Sequence, residues 1–237
     1  MYYGVLFDFA GTLFSLRDMR KQFREVLIDV LEKGNVQYAT DDIGAAYKES
    51  IAKAFIEVGG TPFYYHRDLF KVAFINFLDH FGAENTEELS TYGLERQTSM
   101  AIQAPALRSS VLPTLKFLKE SGISTAIVSN IDNDHFYPML ERLDLFEHVD
   151  FVISSEEACS CKPDPKIFNI ALDNLKLEPY HTLFVGDTPF ADIEGAKSLN
   201  MATALINEKS DFGLKIISDR EFQISDIKDI VEIVRGK

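Results

Sequence analysis

Cysteine is scarce in this chain of 237 residues: there are two, Cys159 and Cys161, two positions apart. That excludes a disulfide framework. Two ligands do not complete a zinc site either, although histidines from elsewhere could add to them. The pair reads as reduced thiols in a reducing compartment. No apolar run reaches the about 18 residues that a membrane span requires, so no membrane partner is expected. The N-terminus enters an apolar strand directly, without the basic region and apolar core of a signal peptide. A cytoplasmic location is the expectation. Positive charge is also short, with 24 Lys and Arg against 37 Asp and Glu, for a net charge of -13. Nucleic acid is then not an expected partner, because binding it needs basic surface to displace counterions. An anionic substrate would need positive charge placed locally inside its site. Internal repeats and low-complexity segments are absent as well.

What remains is ordinary globular composition, 46% hydrophobic and 26% charged. The length leaves room for two lobes, as a monomer or a homodimer. Val5-Leu6-Phe7 runs up to Asp8, and Gly11 and Thr12 follow at once. An apolar run ended by a glycine-containing turn predicts a buried parallel strand with Asp8 at its carboxyl end. The period then changes to that of helices. Met19, Phe23, Val26 and Val30 form one stripe, ended by Gly34. Thr40, Asp41 and Asp42 predict the start of a second helix bearing Ile43, Tyr47, Ile51, Ala54, Phe55 and Val58. A third carries Phe70, Ala73, Phe74, Phe77 and Phe81, and a less periodic fourth, interrupted by Gly93, spans about 85–102. Between the second and third, Thr61-Pro62-Phe63-Tyr64-Tyr65-His66-Arg67 crowds aromatic rings, a histidine and a cation into a loop. Such a loop either faces a ligand or seals the segment.

Beyond Pro105 helices and strands alternate. Strands are expected at 123–128, 149–153, 182–185 and 201–206, with helices around Leu115, Met139, Phe168, 189–199 and Ile230. Asp164 and Pro165 form the favoured N-cap and first-turn pair, and Ser225 is read as the opening of the last helix. This grammar predicts an α/β fold: a doubly wound parallel, Rossmann-like sheet with an all-helical insertion after its first strand. The expected division is 1–14 with 107–237 as the core, and 15–106 as the insert.

In such sheets ligands bind beyond the carboxyl ends of the strands. Asp8, Ser129 and Asp187 occupy those ends, Asp192 follows five residues after Asp187, and Lys162 lies just before a helix. Each alone reads as a turn, cap or surface residue. Together, carboxylates, a hydroxyl and a lysine at one edge make a site for Mg²⁺ and a phosphate group.

These stretches carry a resemblance. Asp8-Phe9-Ala10-Gly11-Thr12-Leu13, Ser129-Asn130, Lys162-Pro163-Asp164-Pro165 and Gly186-Asp187-Thr188-Pro189-Phe190-Ala191-Asp192 resemble, in order, the four motifs of the haloacid dehalogenase superfamily, in its helical-cap branch. The resemblance covers nearly the whole chain. It implies that Asp8 is a nucleophile forming an aspartyl-phosphate. It implies Mg²⁺ held by Asp8, the Ala10 carbonyl and Asp187, with Asp192 coordinating directly or steadying the ion. Ser129 and Lys162 would bind the transferring phosphoryl group, with Gly11, Thr12 and Asn130 lining the substrate. The cap, with His66 and Arg67, would choose a small phosphorylated metabolite.

One position departs from the pattern. Phosphatases of the superfamily carry an aspartate two residues past the nucleophile as the acid for the leaving alcohol, and here that residue is Ala10. A methyl donates no proton, and such help is typically worth about 10²–10⁴ in rate. Three readings stay open: a phosphohydrolase with an easy leaving group or an acid from the cap; phosphonatase-like or 2-haloacid dehalogenase-like chemistry, the former with Lys48 or Lys53 as the amine; or a binder of a phosphorylated ligand.

Overall fold

Strand β1 (Gly4–Phe7) opens the chain, and helices α1 (Arg20–Lys33), α2 (Ile43–Val58), α3 (His66–His80) and α4 (Thr86–Gln103) follow. Next come α5 (Val111–Glu120), β2 (Ser124–Ser129), α6 (Asn133–Arg142), β3 (Phe151–Ser154), α7 (Ser155–Ala158) and α8 (Pro165–Leu175). Strand β4 (Thr182–Gly186), α9 (Gly195–Ser198), β5 (Ala202–Ile206), the hairpin β6 (Lys215–Ser218) and β7 (Glu221–Ile224), and α10 (Ile230–Arg235) complete the order. The computed structural model describes residues 1–210 and 212–236. It forms two units: one of residues 1–16, 106–130 and 140 onward, and one of residues 17–105 and 131–139. Residues 131–139, which the alternating pattern assigned to the sheet-bearing half, thus group with the helices. Among the described residues no helix is long and apolar enough to cross a membrane.

The first unit is built on a seven-stranded sheet of order β3-β2-β1-β4-β5-β7-β6, parallel except where β6 pairs with β7. From β1 the chain winds outward through β2 and β3, then returns to the other side of β1 for β4 and β5. That reversal places the switch point beside the end of β1, where a doubly wound sheet opens a crevice. Both faces are covered, which explains why the strands read as continuous apolar runs. Leu6, Ala126, Val128 and Phe184 pack with Ile167, Phe168, Ala171 and Leu172 of α8. Their neighbours Val5, Phe7, Ile127 and Val185 alternate to the opposite face and are fully buried. Helix α5 packs against β2, and α10 against α5. Each such buried Val, Leu, Ile or Phe side chain contributes about 1.5–3 kcal/mol relative to exposure.

Some local expectations change. The hairpin β6–β7 has no apolar alternation to announce it, because β6 is exposed along its whole length. Helix α2 begins at Ile43 rather than at a Thr40 cap, and the Thr40 carbonyl accepts a bond from Arg24 instead. The helix expected over 189–199 divides into a π-helical turn, Pro189–Glu194, and α9. The final helix is led not by Ser225 but by Asp226, in a capping box with Asp229. Asp164 caps α8 as its sequence predicts, accepting from the Lys166 N–H at 2.9 Å.

The second unit has its own core of Val26, Leu27, Val30, Leu31, Ile43, Ala46, Phe74, Phe77, Leu78 and Leu89. The Tyr47 ring lies 4.9 Å from that of Phe23 and 5.8 Å from that of Phe74. Gly93 does not break α4. A Cβ there would stand 2.8 Å from the Phe74 ring, so glycine is what lets the two helices close on that ring. Asp132, its side chain fully buried, accepts from the backbone N–H groups of His66 at 2.9 Å and Arg67 at 2.7 Å. It caps α3 from a distant segment, filling the orphan donors of the first turn. Burial pushes this carboxyl up, but the His66 ring, 3.8 Å away, and the two backbone N–H groups outweigh it and hold it below the usual range.

A depressed carboxylate adds stability that is present above its unfolded value, about 3.9, and lost as pH falls through the lower folded value. Asp132→Asn should therefore cost about 1.5–3 kcal/mol at neutral pH. The gap to wild type should shrink as pH drops below about 4. Thermal melts of both proteins between pH 7 and 3 measure it, and a gap independent of pH would refute the assignment.

Candidate active site

The end of β1 is pinned on both sides, since Phe7 lies opposite Ile127 of β2 and Val185 of β4. The next residue, Asp8, donates its N–H to the Val185 carbonyl at 2.8 Å, so its side chain leaves the sheet at the switch point. Lys162 reaches there from the loop before α8. Its ammonium meets Asp8 Oδ1 at 2.6 Å, Asp192 Oδ1 at 2.7 Å and the Val128 carbonyl at 2.8 Å. Asp192 arrives from the π-helical turn, where its Oδ2 also accepts the Thr188 N–H at 2.9 Å. Asp187 follows β4 directly and accepts from the Thr188 hydroxyl at 3.3 Å. Thr12, fully buried, donates to Asp8 Oδ2 at 3.2 Å.

Two carboxylates, Asp8 and Asp192, thus hold one ammonium, and Asp187 lies close to both of them. Burial raises the Asp8 carboxyl to about 7, opposed by Lys162 and reinforced by Asp192 and Asp187. Asp187 is raised too, by burial first and then by Asp192. Burial would lower Lys162, but Asp192 and Asp8 together hold it above its ordinary value, so it stays charged. Oxygens of Asp8, Asp187 and Asp192 lie within 4.8 Å of one another. A set of hard oxygens with excess negative charge fits a small divalent cation, and the lysine beside it fits a phosphate oxygen.

A model of the haloacid dehalogenase-like hydrolases matches residues 3–200. The chain belongs to that family. Ribulose-1,5-bisphosphate 5-phosphatase of Halopiger xanaduensis is 26% identical over 210 residues, which span 88% of this chain and 87% of that protein. (S)-2-haloacid dehalogenase 1 of Pseudomonas sp. is 31% identical over 121 residues, 51% of this chain and 53% of that one. Among solved structures, a HAD-hydrolase from Bacillus subtilis bound to magnesium shares the fold, with TM-score 0.75, 19% identity and 98% of each chain covered. Phosphatases and dehalogenases are both among the relatives of this hydrolase.

The other residues singled out in the sequence of this dehalogenase-like hydrolase fall as follows. Ser129 ends β2 and is buried. Asn130 holds the lysine loop by its backbone, donating to the Lys162 carbonyl at 2.9 Å and accepting the Lys162 N–H at 2.7 Å. Its amide is engaged with the protein at both ends. Ala10 and Gly11 form the turn after Asp8. His66 and Arg67 belong to the other unit and are not loop residues but the first turn of α3. There the Arg67 guanidinium lies 4.0 Å from the centre of the Tyr65 ring. Lys48 and Lys53 are exposed, and Lys53 pairs with Glu49 at 2.9 Å. Neither has the desolvated surroundings that make an amine nucleophilic. Arg108, which belongs to no motif, meets the turn after Asp8, and Glu208 accepts from Arg108 in turn.

Gly11 has φ +90°, and a Cβ on it would collide with the Asp187 carboxylate. Gly11→Ala should lower stability by about 1–3 kcal/mol through backbone strain alone, roughly 2–10 °C in Tm. The carboxylate should also be displaced. A melting temperature equal to wild type would show that the turn tolerates a side chain.

Proposed function

We propose that the protein is a Mg²⁺-dependent phosphohydrolase acting on a small phosphorylated metabolite through Asp8. The observation that carries this reading is the cluster of Asp8, Asp187 and Asp192, two of which, Asp8 and Asp192, hold the buried Lys162 ammonium. Asp8, Asp187 and the Ala10 carbonyl are the groups we assign to Mg²⁺, with Asp192 binding directly or through the residues around it. When bound, the ion supplies positive charge against the phosphoryl oxygens.

The Asp8 carboxylate attacks phosphorus as the bond to the leaving-group oxygen breaks. Water then cleaves the aspartyl-phosphate, releasing inorganic phosphate and restoring Asp8. Lys162 and Ser129 hold phosphoryl oxygens, and Lys162 counters the charge that develops in transfer. The Gly11–Thr12 turn supplies backbone beside that group, and Asn130 keeps the lysine loop in place. The helical unit selects the substrate, with His66 and Arg67 as its contact residues. Ala10 offers no proton, so the leaving group is one that departs as a weak base, above all the carboxylate released from an acyl phosphate. The 31% identity to a 2-haloacid dehalogenase favours a second reading, carbon–halogen hydrolysis. The added negative charge of Asp187 and Asp192 opposes it, because it would repel a departing halide.

A hydrolysis screen over acyl phosphates, phosphate esters, phosphonoacetaldehyde and 2-haloacids, with and without Mg²⁺, tests both. Acetyl phosphate turnover that needs Mg²⁺ and vanishes in a folded Asp8→Asn variant is the expected result. Metal-independent release of halide would replace the proposal with the second reading.

Ala10→Asp tests the missing acid separately. The position lies two residues past Asp8, in the turn that follows the strand end. Alkyl phosphates should then turn over about 10²-fold faster, while acyl and p-nitrophenyl phosphates barely change. A uniform gain would trace to folding or metal affinity instead.

A further inference from the structure

Three successive carbonyls after the nucleophile converge on one residue that no motif contains. The Arg108 guanidinium donates to the Gly11 carbonyl and, through Nε, to the Thr12 carbonyl, each at 2.9 Å. The Arg108 backbone N–H takes the Leu13 carbonyl at 3.0 Å. Arg108 Nη2 is held in turn by Glu208 Oε2 at 3.1 Å, and the Ser15 hydroxyl donates to that same oxygen at 2.6 Å. The guanidinium is largely buried, with 15% of its side chain exposed.

The first unit's chain leaves after Leu16 and resumes at Ala106. Ser15 and Arg108 stand at those two ends, and Phe14 bridges antiparallel to Leu107 between them. Glu208, just past β5, therefore ties both ends to the sheet. A trans peptide plane fixes an N–H opposite its C=O. Orienting the Gly11 and Thr12 carbonyls thus orients the planes on both sides of Thr12, whose hydroxyl bonds Asp8. Two neutral carbonyls shared by one planar cation give charge-assisted bonds with fixed direction.

We infer that Arg108, anchored by Glu208, is the positioning residue for the nucleophile: it sets the 9–14 turn and through Thr12 the rotamer of Asp8. The inference rests on the reading of Asp8 as nucleophile for its kinetic consequence, but not for its structural one.

The test compares wild type, Arg108→Ala, Arg108→Lys and Glu208→Gln in amide hydrogen exchange and in acetyl phosphate turnover. Arg108→Ala should raise exchange selectively in residues 9–14, leaving β4 and β5 protected, and lower kcat by about 10²-fold with little change in KM, as a small misplacement of a reacting group does. Guanidinium, far below denaturing concentrations, should restore part of both in Arg108→Ala. Lysine, a single point donor, should recover less than arginine, and Glu208→Gln should show a weaker form of the same pattern. Exchange that rises equally across the sheet, or a 9–14 turn as protected as in wild type, overturns the inference. If wild type hydrolyses nothing in the screen, the functional proposal fails while the exchange comparison still decides this one.

Discussion

A single buried ammonium organises this hydrolase. Lys162 lies between Asp8 and Asp192 at 2.6 and 2.7 Å, nearly excluded from water. A buried charge without partners costs far more than a domain can spare, so the elements that bring these groups together are bound to one another by electrostatics as well as packing. Strand β1 delivers Asp8, a π-helical turn delivers Asp192, and Asn130 clasps the backbone of the lysine itself. Breaking such a group by removing one partner strands the others.

The balance of that cluster is what gives it chemical capacity. One ammonium cannot neutralise three carboxylates, and Asp8 is accordingly pushed up to about 7 by burial and by its acidic neighbours. A carboxylate raised by desolvation and like charge, at the end of a central strand, is the kind of group that functional sites are built from. Packing keeps it there. Gly11 and Gly186 carry no side chain because Asp187 and Asp192 occupy the space where their Cβ atoms would be. Glycine here serves close approach of backbone to carboxylate, and at Gly11 also a φ of +90°.

The helical unit follows a different logic. Its core is apolar and aromatic, centred on Phe74, Phe77 and Tyr47, and its one buried carboxylate of note, Asp132, caps a helix whose own sequence supplies no capping side chain. Asp132 and Asn130 are two residues apart yet hold different structures: one the start of α3, the other the lysine loop.

Periodicity and punctuation were enough to read β1 through β5, the helical insertion and the strand-end residues, because a strand buried on both faces and an amphipathic helix each leave a local pattern. The resemblance in four short motifs pointed to Asp8, Ser129, Lys162 and Asp187 as the residues whose roles we propose. Features set by distant partners were illegible. Strand β6 is exposed throughout and shows no alternation, residues 131–139 join the helices through Asp132, and Arg108 meets the Gly11 and Thr12 carbonyls from almost a hundred residues away. The sequence by itself determined which elements form and which residues end the strands, since these depend on neighbours in the chain. Only the tertiary structure decided which carboxylates share the lysine, how the turn after Asp8 is held and what caps α3, since those rest on groups that folding alone brings within hydrogen-bonding distance.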